Sequence, residues 1–289
     1  MNCKNREGKI VYRDNGQDNM LKKLYGSFAG RSLISLLVKP WVSKTAGAFL
    51  NTKLSACLVE PFIKSNNIDM SDYTEKKFQS FNDFFIRGLK PGKRFINYDK
   101  EILISPSDGR VSVYDIDDDS TFMIKDSYYT IESLTHSKKA ASYYKGGKCV
   151  IIRLCVDNYH RYCYIDDGYK SENKFIPGVL HTVNPVACEH YNIYKENSRE
   201  CSLLHTKNFG KVMQIEVGAL MVGKIVNYDQ VSCITKGDEK GRFEFGGSTI
   251  VLLFSKDAVE IDEDLIKNTA DGYETSVKMG ERIGKAYFS

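Results

Sequence analysis

The sequence lacks a long apolar run, and this absence excludes one class of protein. The longest nearly uninterrupted apolar stretches, such as LISLLV at 33–38, are far shorter than the about 20 residues of a membrane-spanning helix. The first residues, MNCKNREGKIVYRDNGQ, contain no apolar segment of the kind found in secretory signals. We therefore expect neither a secretory signal nor a chain that crosses a bilayer by a helix.

Paired cysteines are also absent. The eight cysteines form no C-x-x-C pair, which argues against a zinc ribbon or a redox motif. A chain of 289 residues is too long, and too poor in cysteine, to be a disulfide scaffold. We expect free thiols in a reducing cytosol and no bound metal.

A strong excess of one charge is missing as well. Lys and Arg number 41 against 37 Asp and Glu, so the net charge is only +4. Nucleic-acid binders usually carry a larger and clustered basic excess, and we expect no nucleic-acid partner. Local basic clusters would still suit an anionic lipid surface. Apolar residues make up 42% of the chain, which is enough for a sizeable folded core.

Residues 18–66 have the pattern of amphipathic helices. Leu21, Leu24 and Phe28 repeat at helical spacing among basic residues, and Pro40 is expected to end this first helix. A second helical pattern follows the proline. Basic amphipathic helices of this kind lie in membrane interfaces, but the same pattern fits a helical hairpin packed on the body of the protein. The residues alone leave both interpretations open.

The rest of the chain has a different secondary-structure pattern. A polar stretch at 65–77 is the best candidate boundary, and a short aromatic helix is expected in FQSFNDFFIRGLKPGKR, ending at Gly88 and Pro91. From residue 101, short β-type runs alternate with turn signals. We predict an α+β protein with a helical region at 1–70. A domain at 71–289 would carry the chemistry on a mostly antiparallel β body resembling a barrel-sandwich.

A glycine-rich stretch, RFEFGGSTIVLLF at 242–254, interrupts the β pattern near the C-terminus. It lacks the spacing of a phosphate-binding loop or of a hydrolase elbow. A serine hydroxyl can instead attack the carbonyl before it, and elimination from the resulting ester leaves a pyruvoyl group. That chemistry needs a conformationally tolerant residue such as Gly247, a rigidly held Ser248 and a base. Candidate bases are Asp108, in a Pro-x-Asp-Gly turn, and the segment 160–163.

Three further side chains are candidate binding groups. His160 ends a β-type run, where active groups are common, although a lone histidine is more often structural. Asn197 and Arg199 could bind an anionic head group, and the alternative is a solvated polar loop.

Taken in order, these stretches resemble the phosphatidylserine decarboxylases over nearly the whole chain. Seven motifs carry the resemblance: FNDFFIR at 81–87, SPSDGRV at 105–111, DNYHRY at 157–162, HTVNP at 181–185, NSRE at 197–200, EVGALMVGKI at 216–225 and KGDEKGRFEFGGST at 236–249. Any one of them is weak, but all seven in the family's order are specific. The spacing is similar to that of the longer bacterial form.

The resemblance implies a self-processing enzyme that converts phosphatidylserine to phosphatidylethanolamine and CO2 in membrane phospholipid biosynthesis. Cleavage would separate a β chain, 1–247, from an α chain, 248–289. Ser248 would become the pyruvoyl cofactor, the electron sink of the reaction. His160 would contact the substrate carboxylate and help return a proton, with Asn197 and Arg199 as substrate-binding groups. Asp108 matches the residue that orients the processing base.

One position departs from the family pattern. The family usually has a second histidine three residues after the first, as the processing base, and here that position is Cys163. Three hypotheses follow: Cys163 acts as the base, Asp108 acts through water, or maturation is slow or absent. The last would leave an unprocessed lipid-binding paralogue.

The resemblance also implies a location in the cell, and two alternative functions remain open. The N-terminal helices would attach the protein to the cytoplasmic face of the cell membrane, and a homodimer is left open. A lipoyl-like binding module would share the β architecture without cleavage at 247–248. A pyruvoyl-dependent decarboxylase of a free amino acid is a closer rival, but it needs no membrane anchor.

Overall fold

The computed structural model describes residues 2–12, 45, 47–74, 77–124, 127–180, 195–218, 224–244 and 248–287. Strands far outnumber helices in these residues, so the predicted α+β class with a mostly β body is confirmed. The resemblance to a barrel needs correction. In the described residues the strands of the largest sheet follow the open order β16-β9-β13-β14-β18-β7-β4-β20-β1-β2, which does not close on itself.

The elements have the following bounds. The strands are β1 Cys3–Lys4, β2 Ile10–Tyr12, β3 Ile102–Ile104, β4 Gly109–Asp115, β5 Phe122–Ile124, β6 Ser127–Tyr129, β7 Lys148–Leu154, β8 Arg161–Cys163, β9 Gly168–Lys170, β10 Lys174–Ile176, β11 Val179–Leu180, β12 Lys195–Glu196, β13 Arg199–Thr206, β14 Lys211–Val217, β15 Ile225–Asn227, β16 Ser232–Ile234, β17 Glu239–Phe243, β18 Ser248–Phe254, β19 Val259–Ile261, β20 Glu274–Val277 and β21 Arg282–Ala286. The helices are a 3₁₀ helix Lys53–Leu58 and the α-helices α1 Val59–Ser65, α2 Phe81–Phe85, α3 Ile131–Thr135, α4 Lys138–Tyr144 and α5 Glu263–Ala270.

The central strand of the large sheet is β18. It pairs antiparallel with β14 on one side and with β7 on the other, and all seven of its residues are buried. Because side chains alternate along a strand, Ile250 and Leu252 face one hydrophobic core while Val251 and Leu253 face another. We call these the first core and the second core. A strand covered on both faces explains why STIVLLF is a nearly continuous apolar run.

The first core is covered by a small sheet of order β15-β17-β8. Tyr162 and Cys163 of β8 and Phe243 of β17 belong to that core. The rings of Tyr162 and Phe243 lie 5.0 Å apart. This small sheet therefore holds the end of the predicted segment 160–163 over the large sheet.

The N-terminal helices are described only in part. Residues 13–44 lie outside the described residues, so the first predicted helix and its end at Pro40 lie outside as well. The second helical pattern is confirmed from Lys53 to Ser65, and the aromatic helix is confirmed as α2. The Ser80 side chain accepts a hydrogen bond from the N–H of Asp83, which fixes the start of α2.

A third, smaller cluster joins these helices. Val59 of α1 and Phe81 and Phe84 of α2 pack together with Ile68 between them in the chain. Within the described ranges, no helix has both the length and the apolar character needed to cross a membrane. The boundary at residue 70 and the membrane-associating role of this region stay predictions.

Candidate active site

The ends of the central strands place several predicted residues along one edge of the large sheet. β18 begins at Ser248, whose register partner is Leu154, the last residue of β7. On the other side of β7, Arg110 of β4 pairs with Arg153, and Asp108 comes directly before β4. The antiparallel order thus brings Ser248, Asp108 and the loop after Leu154 to the same edge.

Ser248 is held rigidly at the start of its strand. It is 1% exposed and pairs with Leu154 of β7, while the pairing of β18 with β14 begins at the next residue, Thr249. Its side chain is on the face of Ile250 and Leu252, which is the face of the first core. Burial and strand pairing are what the predicted rigid placement of the serine requires. Gly247, its partner in the predicted cleavage site, lies outside the described residues.

Asp108 is tied to an arginine that the sequence reasoning missed. Its Oδ1 accepts hydrogen bonds from Arg94 Nε at 2.8 Å and from the N–H of Met279 at 2.9 Å, and its Oδ2 accepts from Arg94 Nη2 at 2.6 Å. Burial acts to lower the pKa of the Arg94 guanidinium, but the Asp108 carboxylate beside it raises that pKa overall. Arg94 therefore stays charged. The signal for it was a basic residue in KPGKR, close to SPSDG in the chain.

Asp108 does not lie directly against Ser248. One strand, β7, separates β4 from β18, and two strand spacings correspond to about 10 Å. Across this backbone separation, an intermediate group such as a water molecule would let the carboxylate take a proton from the serine hydroxyl.

His160 ends the loop that leaves β7 after Leu154. Its Nδ1 lies 2.9 Å from the carbonyl oxygen of Asn158. A carbonyl only accepts, so Nδ1 carries the hydrogen and Nε2 carries the lone pair in the neutral ring. The ring packs 4.0 Å from that of Phe85, and the residue is 2% exposed. The loop itself is closed by Asn158, whose side-chain oxygen accepts from the N–H of Cys155 at 2.7 Å.

Cys163 is the last residue of β8 and is buried in the first core. Its N–H donates to the carbonyl of Pro106 at 2.8 Å, two residues before Asp108. Burial raises the pKa of the Cys163 thiol to about 12. At neutral pH the side chain is therefore a thiol, which has no negative charge with which to take a proton.

Asn197 and Arg199 lie at the same edge but are turned toward other partners. The buried Arg199 guanidinium donates to the carbonyls of Leu134 and Ser133, both at 2.6 Å, and of Asn197 at 2.9 Å. The Asn197 side-chain nitrogen is buried with no hydrogen-bond partner among the described atoms. The solvated-loop alternative is wrong, because both residues are buried. Their role in substrate binding stays a prediction.

Sequence reasoning also missed a buried ion pair on the face of Ser248. Lys240 Nζ lies 2.8 Å from Glu216 Oε1, and both side chains are fully buried. Glu216 is the register partner of Ile250, two residues from Ser248 on the same face. The two residues lie in the motifs EVGALMVGKI and KGDEKGRFEFGGST, but only the folded sheets bring them together.

Comparison with known proteins gives consistent results. A family model described as phosphatidylserine decarboxylase matches residues 81–285. A phosphatidylserine decarboxylase proenzyme 2 of Clostridium acetobutylicum is 49% identical over 283 residues, covering 97% of each chain. Phosphatidylserine decarboxylase proenzymes of Clostridium beijerinckii and Clostridium kluyveri are 44% and 43% identical, covering 90% and 93% of each chain.

Proposed function

The chain belongs to the phosphatidylserine decarboxylase family and decarboxylates phosphatidylserine, and from this premise we propose that its cofactor is a pyruvoyl group made from its own Ser248. The reaction removes CO2 from the serine head group and leaves phosphatidylethanolamine. The proposal includes self-cleavage between Gly247 and Ser248, which yields a β chain of residues 1–247 and an α chain of residues 248–289.

The single observation that carries the proposal is the place of Ser248 in the sheet. Ser248 is the first residue of a fully buried central strand, with Leu154 directly opposite. A new chain end made there would be fixed by pairing with β7 at Ser248 and with both β7 and β14 from Thr249 onward. A group derived from Ser248 therefore fits a site that is rigid, buried and next to the His160 loop.

The chain's own residues would divide the remaining work. A pyruvoyl group supplies an electron sink when the carboxylate leaves as CO2. In this proposal His160 Nε2, protonated when the substrate binds, donates a hydrogen bond to the substrate carboxylate, and after CO2 has left it donates that proton to the carbon that carried the carboxylate. Its Nδ1 is committed to the Asn158 carbonyl, so Nε2 is the nitrogen that faces these tasks. Burial of the serine and histidine excludes bulk water from the reaction.

For the processing base we favour Asp108 acting through water. The alternative in which Cys163 acts directly has the weaker support, because burial raises the pKa of its thiol to about 12. Arg94 compensates the charge of Asp108, and because β7 lies between the strands of Asp108 and Ser248, a water molecule carries the proton between them in this proposal. Cys163 then serves as a small buried residue beside this site.

We also propose that the N-terminal helical region attaches the protein to the cytoplasmic face of the membrane. Large apolar side chains are exposed in its described part, with Leu54 at 76%, Phe49 at 46% and Leu58 at 41% exposure. Lys53 lies among them in the sequence and Lys64 follows six residues after Leu58, and both would meet anionic head groups. A lipid substrate makes an active site near the bilayer physically sensible.

Intact-protein mass spectrometry of freshly purified protein tests the central proposal. We expect two chains, with the short one starting at residue 248 and lighter by about 17 Da than simple hydrolysis predicts, because ammonia is lost when the pyruvoyl group forms. The Ser248→Ala variant, which lacks the hydroxyl, is the control and should stay uncut. A single unbroken wild-type chain would contradict the proposal and favour the unprocessed lipid-binding alternative.

A substrate comparison separates the remaining rival. Cleaved protein should release CO2 from phosphatidylserine in mixed micelles and not from free serine at the same concentration. Equal rates on the two would indicate a decarboxylase of the free amino acid.

A further inference from the structure

The residues that follow helix α2 contact the His160 loop at several points. The Phe85 ring packs against the His160 ring, and the Ile86 carbonyl accepts from Arg161 Nη2 at 2.9 Å. Arg87 Nη2 donates to the carbonyls of residues 157 and 158, at 2.9 and 3.1 Å. We call Phe85, Ile86 and Arg87 the clamp. It lies in FNDFFIR, a motif to which the proposed chemistry gives no role.

One atom links the clamp to the histidine. The Asn158 carbonyl oxygen accepts from both His160 Nδ1 at 2.9 Å and Arg87 Nη2 at 3.1 Å. The hydrogen bond that sets the His160 tautomer therefore ends on an oxygen that Arg87 holds in place. Removal of the guanidinium would free this carbonyl to rotate, and the imidazole would lose the partner that fixes both its orientation and its Nδ1 hydrogen.

Arg87 is a costly residue for this position if it only fills space. It is 1% exposed, and its guanidinium lies over the rings of Tyr73 and Phe84, at 4.2 and 4.7 Å from their centroids. Its Nε is buried with no hydrogen-bond partner among the described atoms. Burying an incompletely paired guanidinium costs free energy, and an apolar side chain would fill the same space at lower cost. The hydrogen bonds to the loop are what an apolar residue cannot replace.

We propose that Arg87 is a positioning residue for decarboxylation, which acts by holding the Asn158 carbonyl so that His160 keeps its hydrogen on Nδ1 and presents Nε2 to the substrate. This inference rests on the role proposed above for His160. Arg87 itself touches neither substrate nor cofactor in this scheme. Phe85 and Ile86 complete the clamp by packing on the histidine ring and anchoring Arg161, the next residue.

The test compares Arg87→Met and Arg87→Lys with a matched control. Lys170→Met is that control, because Lys170 is also a fully buried cation that donates to backbone carbonyls, those of residues 171, 229 and 230. It pairs with Leu204, five residues along β13 from the edge that carries the site. Turnover is measured on phosphatidylserine micelles and divided by the amount of pyruvoyl-bearing short chain, and melting temperature is measured alongside.

We expect kcat per pyruvoyl group to fall about 100-fold in Arg87→Met, with KM changed less than about threefold, because a misplaced proton donor slows chemistry more than binding. The kcat of Arg87→Lys should lie between those of the wild type and Arg87→Met. An ammonium keeps the charge but lacks the planar guanidinium that donates to two carbonyls. Lys170→Met should lower the melting temperature and leave kcat per pyruvoyl group unchanged. Equal kcat values in the Arg87 variants and the control would overturn the proposal.

A second readout does not depend on activity. Nitrogen-15 NMR of histidine in the uncut Ser248→Ala chain reports which ring nitrogen carries hydrogen, and His160→Gln identifies the signal. We expect the Nδ1–H form in the parent and its loss in Arg87→Met. Retention of the Nδ1–H form in Arg87→Met would overturn the positioning role. Because this readout uses the uncut chain, it can fail or succeed independently of whether the wild-type protein cleaves itself. If Arg87→Met does not fold, Arg87→Lys decides: an unchanged tautomer with unchanged kcat refutes the proposal.

Discussion

Cys163 occupies the position at which the family usually has its processing histidine, and its surroundings decide what it can do. The side chain lies in the first core, where burial raises the pKa of its thiol to about 12. A raised thiol pKa means that the thiolate is lost as pH falls below that value, so at neutral pH the side chain is the neutral thiol. Asp108, by contrast, is a carboxylate whose charge Arg94 compensates.

A pair of variants tests whether Asp108 or Cys163 is the processing base. Asp108→Asn removes the proposed base and should slow self-cleavage at least about 100-fold. Cys163→Ala should leave the cleavage rate within about threefold, because a neutral thiol contributes little. The rate is followed by electrophoresis after refolding or cell-free synthesis.

The pH dependence of the same cleavage provides the control. If the thiolate were the base, the wild-type rate would rise about tenfold per pH unit up to pH 12. We expect no such rise above neutral pH. A steep rise that disappears in Cys163→Ala would restore Cys163 as the base.

At the scale of secondary-structure elements, a β-bulge decides where the charge of Lys240 goes. The register of β17 against β8 shifts between Glu239 and Gly241, so Lys240 is the extra residue. Bulges redirect side chains, and Lys240 reaches inward to Glu216 and to Asn227 Oδ1 at 2.7 Å. Gly241 is required beside it, because a Cβ there would lie 2.3 Å from the Val226 carbonyl oxygen.

Removing one partner of the buried Lys240–Glu216 ion pair should strongly lower the free energy of unfolding. Glu216→Gln leaves the Lys240 charge uncompensated and is expected to lower the free energy of unfolding by about 3–5 kcal/mol. The double variant Glu216→Gln/Lys240→Met removes both charges and should recover at least half of that loss. Urea unfolding in the uncut Ser248→Ala background keeps the comparison within one chain.

An exposed pair is the matched control for this prediction. Lys285 and Glu260 lie 3.0 Å apart with both side chains about half exposed, and Lys285→Met should cost less than about 1 kcal/mol. A double variant at 216 and 240 that is as unstable as the sum of its single variants would contradict the expected coupling.

At the scale of the whole molecule, the two segments that the proposed cleavage at 247–248 would separate are interleaved. β18 lies between β14 and β7, and β20 lies between β4 and β1. The N-terminal strand β1 pairs in parallel with β20, and Arg6 forms ion pairs with Asp262 and Asp264. After the proposed cleavage, the short chain would thus be held by long-range strand pairing and not only by its former peptide bond.

We therefore expect the cleaved chains to stay together on size-exclusion chromatography and to separate only in denaturant. Deletion of residues 2–12 exposes the edge of β20 and removes the Arg6 ion pairs, so it should lower the urea concentration at which the short chain is released. Lys9→Ala is the control, since Lys9 pairs only with the exposed Glu7 among the described contacts. Release at an unchanged urea concentration in the deletion would contradict this account.

Much of the chemistry could be predicted from local sequence. A glycine pair before Ser248 and an apolar strand after it indicate self-processing, because the reaction needs those residue types next to one another in the chain. Short periodic patterns also predicted the helix at 81–85 and the β-strands after residue 101, since hydrophobic spacing follows the local backbone.

Only the tertiary structure decided which distant residues meet. The sequence by itself determined the family resemblance, the α+β class and the choice of Ser248 as the proposed reacting residue, all of which rest on neighbouring residues. Strand order and register brought Arg94 to Asp108, Glu216 to Lys240 and Arg87 to the Asn158 carbonyl. Burial of Cys163, which raises the pKa of its thiol to about 12, also follows from the packing of β8 on the large sheet. Such contacts depend on which strands become neighbours, and local hydrophobic patterns in the sequence do not specify strand order.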